Sequence, residues 1–204
     1  MPAKKRSFRD AQNSRERLLQ AAIVAFADLG YDGVSVRDIA DRAGVGFQLI
    51  GYHFGSKDQL WLAAVRDAYE YFASYGQRMR LDPAGDLDAQ FREYLRQVLK
   101  RANEHPHLLR ILIQEGMAGS ARYTKILKPM LKKFYETVTL PYFRDAERLG
   151  VIRKATAAES DLLVGSVLVT NLVHSFHVEF FLGKRAGSDA YIERQVDLLA
   201  RLLQ

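Results

Sequence analysis

The residues best equipped for chemistry lie in "RDIADRAGVGFQLIGYHFGSKDQL", residues 37–60. Arg37, Arg42 and Lys57 are cations, Phe47 and Tyr52 are aromatic, Gln48 carries an amide and His53 an imidazole. Cations meet phosphate oxygens. A side-chain amide can form a bidentate pair with adenine, and an apolar side chain such as Phe47 or Leu49 can rest on a thymine methyl. That mixture suits binding to nucleic acid more than turnover. The chain offers no Cys nucleophile, no H-E-x-x-H, no phosphate-binding glycine loop and no evident pair of facing carboxylates. "HPH" at residues 105–107 reads as a helix start.

These residues need two helices to present them. Ser35 with Asp38 marks a capped N-terminus, and the short helix that follows turns Ile39, Ala40 and Ala43 inward. Gly44 supplies the backbone freedom for a tight turn. A second short helix is expected over residues 46–54, locked to the first by Ile39, Val45 and Ile50. This is a helix-turn-helix pattern, whose second helix would lie in a DNA major groove. Arg37, Arg42, His53 and Lys57 surround it, and a basic arm (Lys4, Lys5, Arg6, Arg9) precedes it. Two short helices joined by glycine also occur in many all-α proteins with no such role.

The rest of the chain has helical period throughout, so the fold class is all-α. Asn13 and Glu16 give a cap signal before a face of Leu18, Leu19, Ala22, Ile23, Phe26 and Leu29, which Gly30 ends. Ser56 and Gln59 start a long helix with Leu60, Trp61, Ala64, Val65, Ala68, Tyr69 and Phe72 on its apolar side. "LDPAGDLD" is the clearest break. The next helix would bury Leu87, Phe91, Tyr94, Leu95, Val98 and Leu99, and "EHPHLL" breaks the chain again at Pro106. Further helices are expected near 107–118, 122–149, 157–182 and 189–204, with Pro129 and Pro141 kinking or splitting the segment 122–149. Thr156 with Glu159 caps the segment 157–182.

The 204 residues allow one domain, or a small one joined to a larger one. A net charge of +6 suits an anionic partner. The absence of Cys excludes disulfides and thiolate metal sites and fits a reducing, cytoplasmic setting. The basic N-terminus is followed by no apolar core of a secretory signal. The apolar run over residues 162–182 approaches the roughly 20 residues of a membrane span. It carries Asn171, His174, His177 and Glu179, however, and reads as a helix buried within protein, so no membrane partner is expected.

Over residues 15–65 the sequence resembles the DNA-binding domain of TetR-family transcriptional regulators. The likeness rests on "RLLQAAIVAFADLGYDGVSVRDIADRAGV", containing the family's G-[YF]-x-x-[TV]-[ST] turn, and on "YHFGSKDQL", which follows its Y-x-F-x-[SN]-K-x-x-L signature. The remainder is similar only in size and helix pattern. The resemblance implies a DNA-binding domain over residues 12–56, with the arm at 1–11, and an effector-binding and dimerisation domain over 57–204. It implies a homodimeric regulator, usually a repressor, that binds a pseudo-palindromic double-stranded operator and is released by a small molecule. The recognition helix would place Phe47, Gln48 and Leu49 near base edges, with Tyr52 and His53 toward the DNA backbone and Arg37 and Lys57 on phosphates. Gly46 stands where Ser commonly caps this helix, Gln48 where Gly is frequent, and Gly51 where a phosphate-touching Tyr is frequent.

The resemblance also makes residues 157–182 and 189–204 a dimer-forming pair that would meet its copy as a four-helix bundle. Polar residues on apolar helices suggest an effector pocket: Asn171, His174 and His177 at spacings of three, joined by Tyr94, Gln114, Glu115, Tyr123 and Tyr142. The apolar setting favours a hydrophobic or aromatic ligand, and no metal or cofactor is expected. Each of these residues could equally be a satisfied core or interface group. Three other readings stay open: a regulator with no ligand, a DNA-binding protein without sequence preference, and a small helical enzyme.

Overall fold

The computed structural model describes residues 3–76, 78–173, 175–183, 185 and 187–204, with the side chains of 3–12, 175–177 and 182 outside the description. The described residues form helices and no strand. The first four helices are α1 (Ala3–Leu29), α2 (Val36–Ala43), α3 (Gln48–Phe54) and α4 (Lys57–Gly76). Then come α5 (Leu87–Glu104), α6 (His107–Met117), α7 (Lys128–Phe134), α8 (Leu140–Arg148), α9 (Ala157–Val173), α10 (Ser175–Leu182) and α11 (Asp189–Leu203).

α1 begins ten residues before Asn13, so the expected cap there does not form. The preceding stretch "AKKRSFRDAQ" holds strong helix formers and neither Gly nor Pro, and a cap-type residue inside such a run starts nothing. From Leu18 onward the expected face is buried, except that Leu29, the last helical residue, is 51% exposed. The Ser35–Asp38 capping box closes in both directions, and Thr156 with Glu159 does the same before α9. Asp86 caps α5 by accepting from the Ala89 N–H at 3.0 Å.

Pro129 and Pro141 neither split nor end their helix. Each is preceded by a π turn, Tyr123–Leu127 and Tyr135–Thr139. The Lys128 N–H reaches back to the Tyr123 carbonyl, and the Leu140 N–H to that of Tyr135. Widening one turn removes the ring's clash with the preceding turn and leaves the missing N–H without a partner to lose. Residues 123–148 therefore run on as helix through both prolines.

Two apolar cores result. The first gathers α1, α2 and α3 around Leu18, Phe26, Ile39, Ile50, Leu60 and Trp61, and takes in Leu108 and Ile111 of α6 and Leu127. The second joins α5, α8, α9 and α11 around Phe91, Leu95, Phe143, Val164, Val196 and Leu199. The first half of α4 belongs to the first core, so the three short helices do not close on themselves. Along α9 to α11, by contrast, Leu162, Val173, Phe180, Phe181, Leu198 and Leu202 stand 43–72% exposed. Among the described residues no helix is long and apolar enough to cross a membrane.

Candidate nucleic-acid interface

The turn between α2 and α3 is built as its residues demand. Gly44 sits at φ 62°, ψ 41° and its N–H caps α2. The Val45 N–H donates to the Ala40 carbonyl at 3.0 Å, and Arg17 of α1 donates to the Gly44 carbonyl at 3.2 Å. A side chain at Gly44 would be strained by its left-handed backbone and would meet the Arg17 guanidinium. The Ser35 hydroxyl and backbone N–H at the start of α2 hold the Asp38 carboxyl below its usual range.

α3 proper starts at Gln48, two residues later than expected, with Phe47 in the cap position and Gly46 outside the helix. The chain is already turning there, because the Gly46 and Phe47 carbonyls accept from the N–H groups of Leu49 and Ile50 at 3.0 Å. Ile50 is the anchor, 2% exposed in the first core. Opposite it, the surface is formed by Phe47, Gln48, Gly51 and Tyr52, all exposed. The Arg37 guanidinium carbon lies 5.3 Å from the centre of the Phe47 ring, so a cation from the start of α2 flanks the aromatic before α3.

The structure separates residues that the sequence grouped. Leu49 is half-buried against the first core. His53 turns inward: its Nε2 lies 2.9 Å from the Ser14 hydroxyl, and burial, then the nearby Arg15, depress its pKa. Arg15 also lies over the Phe54 ring at 5.4 Å. These contacts tie α3 to α1. Tyr52, 77% exposed, is left as the outward aromatic. A Cβ at Gly51 would meet nothing within 4 Å, so packing within the chain does not require a glycine there.

Lys57, first in α4, lies 4.4 Å from the centre of the Tyr31 ring. Tyr31 donates to Asp58, and burial together with that carboxylate pushes its pKa up to about 12. Sequence reasoning passed over Ser14, Arg15 and Tyr31. Tyr31 stood in the recognised turn, but the α1 side chains carried no local signal. The side chains of Lys4, Lys5, Arg6 and Arg9 lie outside the description.

Of the residues expected to share an effector pocket, Tyr94 and Tyr142 come together and the other described ones meet different neighbours. Tyr94 and Tyr142 stack in the second core, ring centres 3.8 Å apart, and burial raises both of their pKa values. The Tyr142 hydroxyl is buried without a hydrogen-bond partner. Gln114 donates to the Ala27 carbonyl at 2.8 Å, while Glu115 pairs with Arg122 and Tyr123 packs on the first core. Asn171 accepts from the Tyr191 hydroxyl at 2.6 Å. His174 and the His177 side chain lie outside the described residues. Helical spacing groups residues on one helix, but it does not report which neighbour each meets.

Comparison with known proteins places this interface in context. Residues 18–64 match the family model of bacterial regulatory proteins of the tetR family. The HTH-type transcriptional repressor NicS of Pseudomonas putida is 29% identical over 107 residues, 52% of this chain and 50% of that protein. The HTH-type transcriptional regulator RutR of Escherichia coli K12 is 30% identical over 106 residues, 52% of this chain and 49% of the other. The chain thus spans about half the length of these curated relatives. The fold extends further: a TetR family transcription regulator from Marinobacter aquaeolei VT8 superposes with a TM-score of 0.70 over 97% of this chain and 98% of that one, at 19% identity.

Proposed function

From a chain that belongs to the TetR family of bacterial regulatory proteins, we propose a sequence-specific DNA-binding regulator, a repressor acting as a homodimer on a pseudo-palindromic operator. The observation that carries this reading is the outward face of α3. Gln48 and Tyr52 are exposed on a helix anchored from behind by Ile50, with Phe47 exposed at its cap and Arg37 and Lys57 at its flanks. Gln48 pairs with a base edge, and Phe47 meets a thymine methyl. Tyr52, Arg37 and Lys57 hold phosphates, Lys57 aided by the positive end of α4. Leu49 and His53 contribute by fixing the helix rather than by touching DNA.

The exposed apolar residues of α9, α10 and α11 supply the surface for the second copy. Two-fold symmetry then matches paired half-sites. For the effector we place the site beside Tyr94 and Tyr142, where the unpartnered Tyr142 hydroxyl offers a hydrogen bond to an aromatic or apolar ligand. Residues 12–56 act as the DNA-binding unit, although they share their core with α4 and α6.

Footprinting on the DNA upstream of the protein's own gene tests this reading. A protected palindrome supports it, and uniform coating of the fragment defeats it.

A further inference from the structure

Two cations share one tyrosine ring where the first core meets the body of the chain. The Arg122 guanidinium carbon lies 3.8 Å from the centre of the Tyr31 ring, and the Lys57 ammonium lies 4.4 Å from it. The ring itself is fixed. It stacks on Phe26 with centres 5.8 Å apart, meets Trp61 edge-on at 6.5 Å, and its hydroxyl donates to Asp58. Arg122 is fixed as well, because its Nε donates to Glu115 Oε1 at 3.0 Å. Glu115 is only 6% exposed, and its other oxygen accepts from the Ser120 hydroxyl. Asp32 lies 3.9 Å from the far end of the guanidinium.

The two cations attract the same ring and repel each other. Arg122 is committed to a buried carboxylate, whereas Lys57 has a flexible stem and is the one able to move. We propose that Arg122, far outside the helix-turn-helix in sequence, is a positioning residue for DNA binding: by competing for the Tyr31 ring it loosens the hold of that ring on Lys57 and so makes the ammonium easier for a phosphate to draw away. This rests on the reading of the chain as a DNA-binding regulator. It also gives α6 a route to the DNA surface, since a shift that pulls Glu115 from Arg122 changes where Lys57 rests. A route of this kind is established by measured coupling, not by adjacency.

The test is a double-mutant cycle on DNA affinity, read by fluorescence anisotropy at several salt concentrations. The DNA is a sequence selected by the unaltered protein from random oligonucleotides. Arg122→Met is paired with Glu115→Gln, so that no buried carboxylate is left without its partner. Circular dichroism and sedimentation check that fold and assembly are kept, and Tyr31→Leu in the otherwise unaltered protein serves as a second route if that pair fails to fold: affinity is expected to rise, because Lys57 loses the ring that competes for it, and an unchanged affinity counts against the proposal. The expected result is a loss of about fivefold to tenfold in affinity with Arg122 removed. That loss disappears when Lys57→Ala is already present, and both changes lower the salt slope by the same contact. Unchanged affinity, or losses that add independently of Lys57, overturns the proposal. Failure of the unaltered protein to select any DNA overturns the regulator reading itself, and this inference falls with it.

Discussion

The Oγ of Ser14 lies 2.9 Å from Nε2 of His53, joining α1 to the inner side of α3. That contact decides which side chains α3 can show to a partner. With His53 held against α1 and Ile50 in the core, Tyr52 and Gln48 are what remain outside.

The contact predicts a pH dependence. Burial, and then Arg15, hold the His53 pKa below its ordinary value. A group depressed in this way contributes stability above its unfolded pKa of about 6.5 and loses it as pH falls through the folded value. Burial also lowers the His107 pKa, which adds acid sensitivity to the unaltered protein and to a His53 variant alike. The His53 part is therefore the difference between the unaltered protein and His53→Gln in urea unfolding at pH 7.5 and pH 5. The variant is expected to lose less stability on acidification, and equal losses contradict the assignment.

Gly51 gives a second prediction, in which stability and binding part company. A Cβ there meets nothing within 4 Å, and glycine in a helix interior costs roughly 1 kcal/mol relative to Ala. Gly51→Ala is expected to raise the unfolding midpoint. Gly51→Tyr restores the aromatic frequent in relatives and is expected to strengthen binding to all DNA sequences alike. A lower midpoint for Gly51→Ala would show that the glycine serves the fold.

Much of the helix framework could be read from the sequence, for reasons that are local. Ser35 and Asp38, Gly44, and Thr156 with Glu159 act through neighbours three or four positions away, and each capped or ended its helix as expected. What stayed hidden depends on partners far along the chain. His53 looked like a surface cation until Ser14 supplied its partner, and Tyr94, Gln114 and Asn171 looked like one pocket until each found a different neighbour. The prolines left their helix unsplit for another reason. Pro129 and Pro141 do forbid a regular α turn, but a single widened turn satisfies that restriction without ending the helix.

Gln48 and Tyr52 are expected to fail differently. Gln48→Ala should cost on the order of 1–3 kcal/mol at particular base positions and relax the preferred sequence there. Tyr52→Ala should weaken all sequences by a similar factor. Binding measured across a panel of single-base operator variants separates the two, and an unchanged base preference in Gln48→Ala removes Gln48 from the reading surface.

The exposed apolar face of α11 carries a prediction about assembly. Leu198 and Leu202 are 43% and 57% exposed. Placing charge in an interface core is strongly unfavourable. The double variant Leu198→Glu/Leu202→Glu is expected to sediment as a monomer with its helix content kept, and to bind operator DNA far more weakly. A stable dimer of that variant would place the second copy elsewhere.

Selection of bound sequences from random double-stranded DNA tests the central claim most directly. The account predicts enrichment of an inverted repeat whose half-site centres lie about one helical turn, ~10 base pairs, or a multiple of it apart. It further predicts that Lys57→Ala enriches the same repeat with a salt dependence shallower by about one phosphate contact per subunit. Recovery of no common sequence, with binding governed by salt alone, would contradict it.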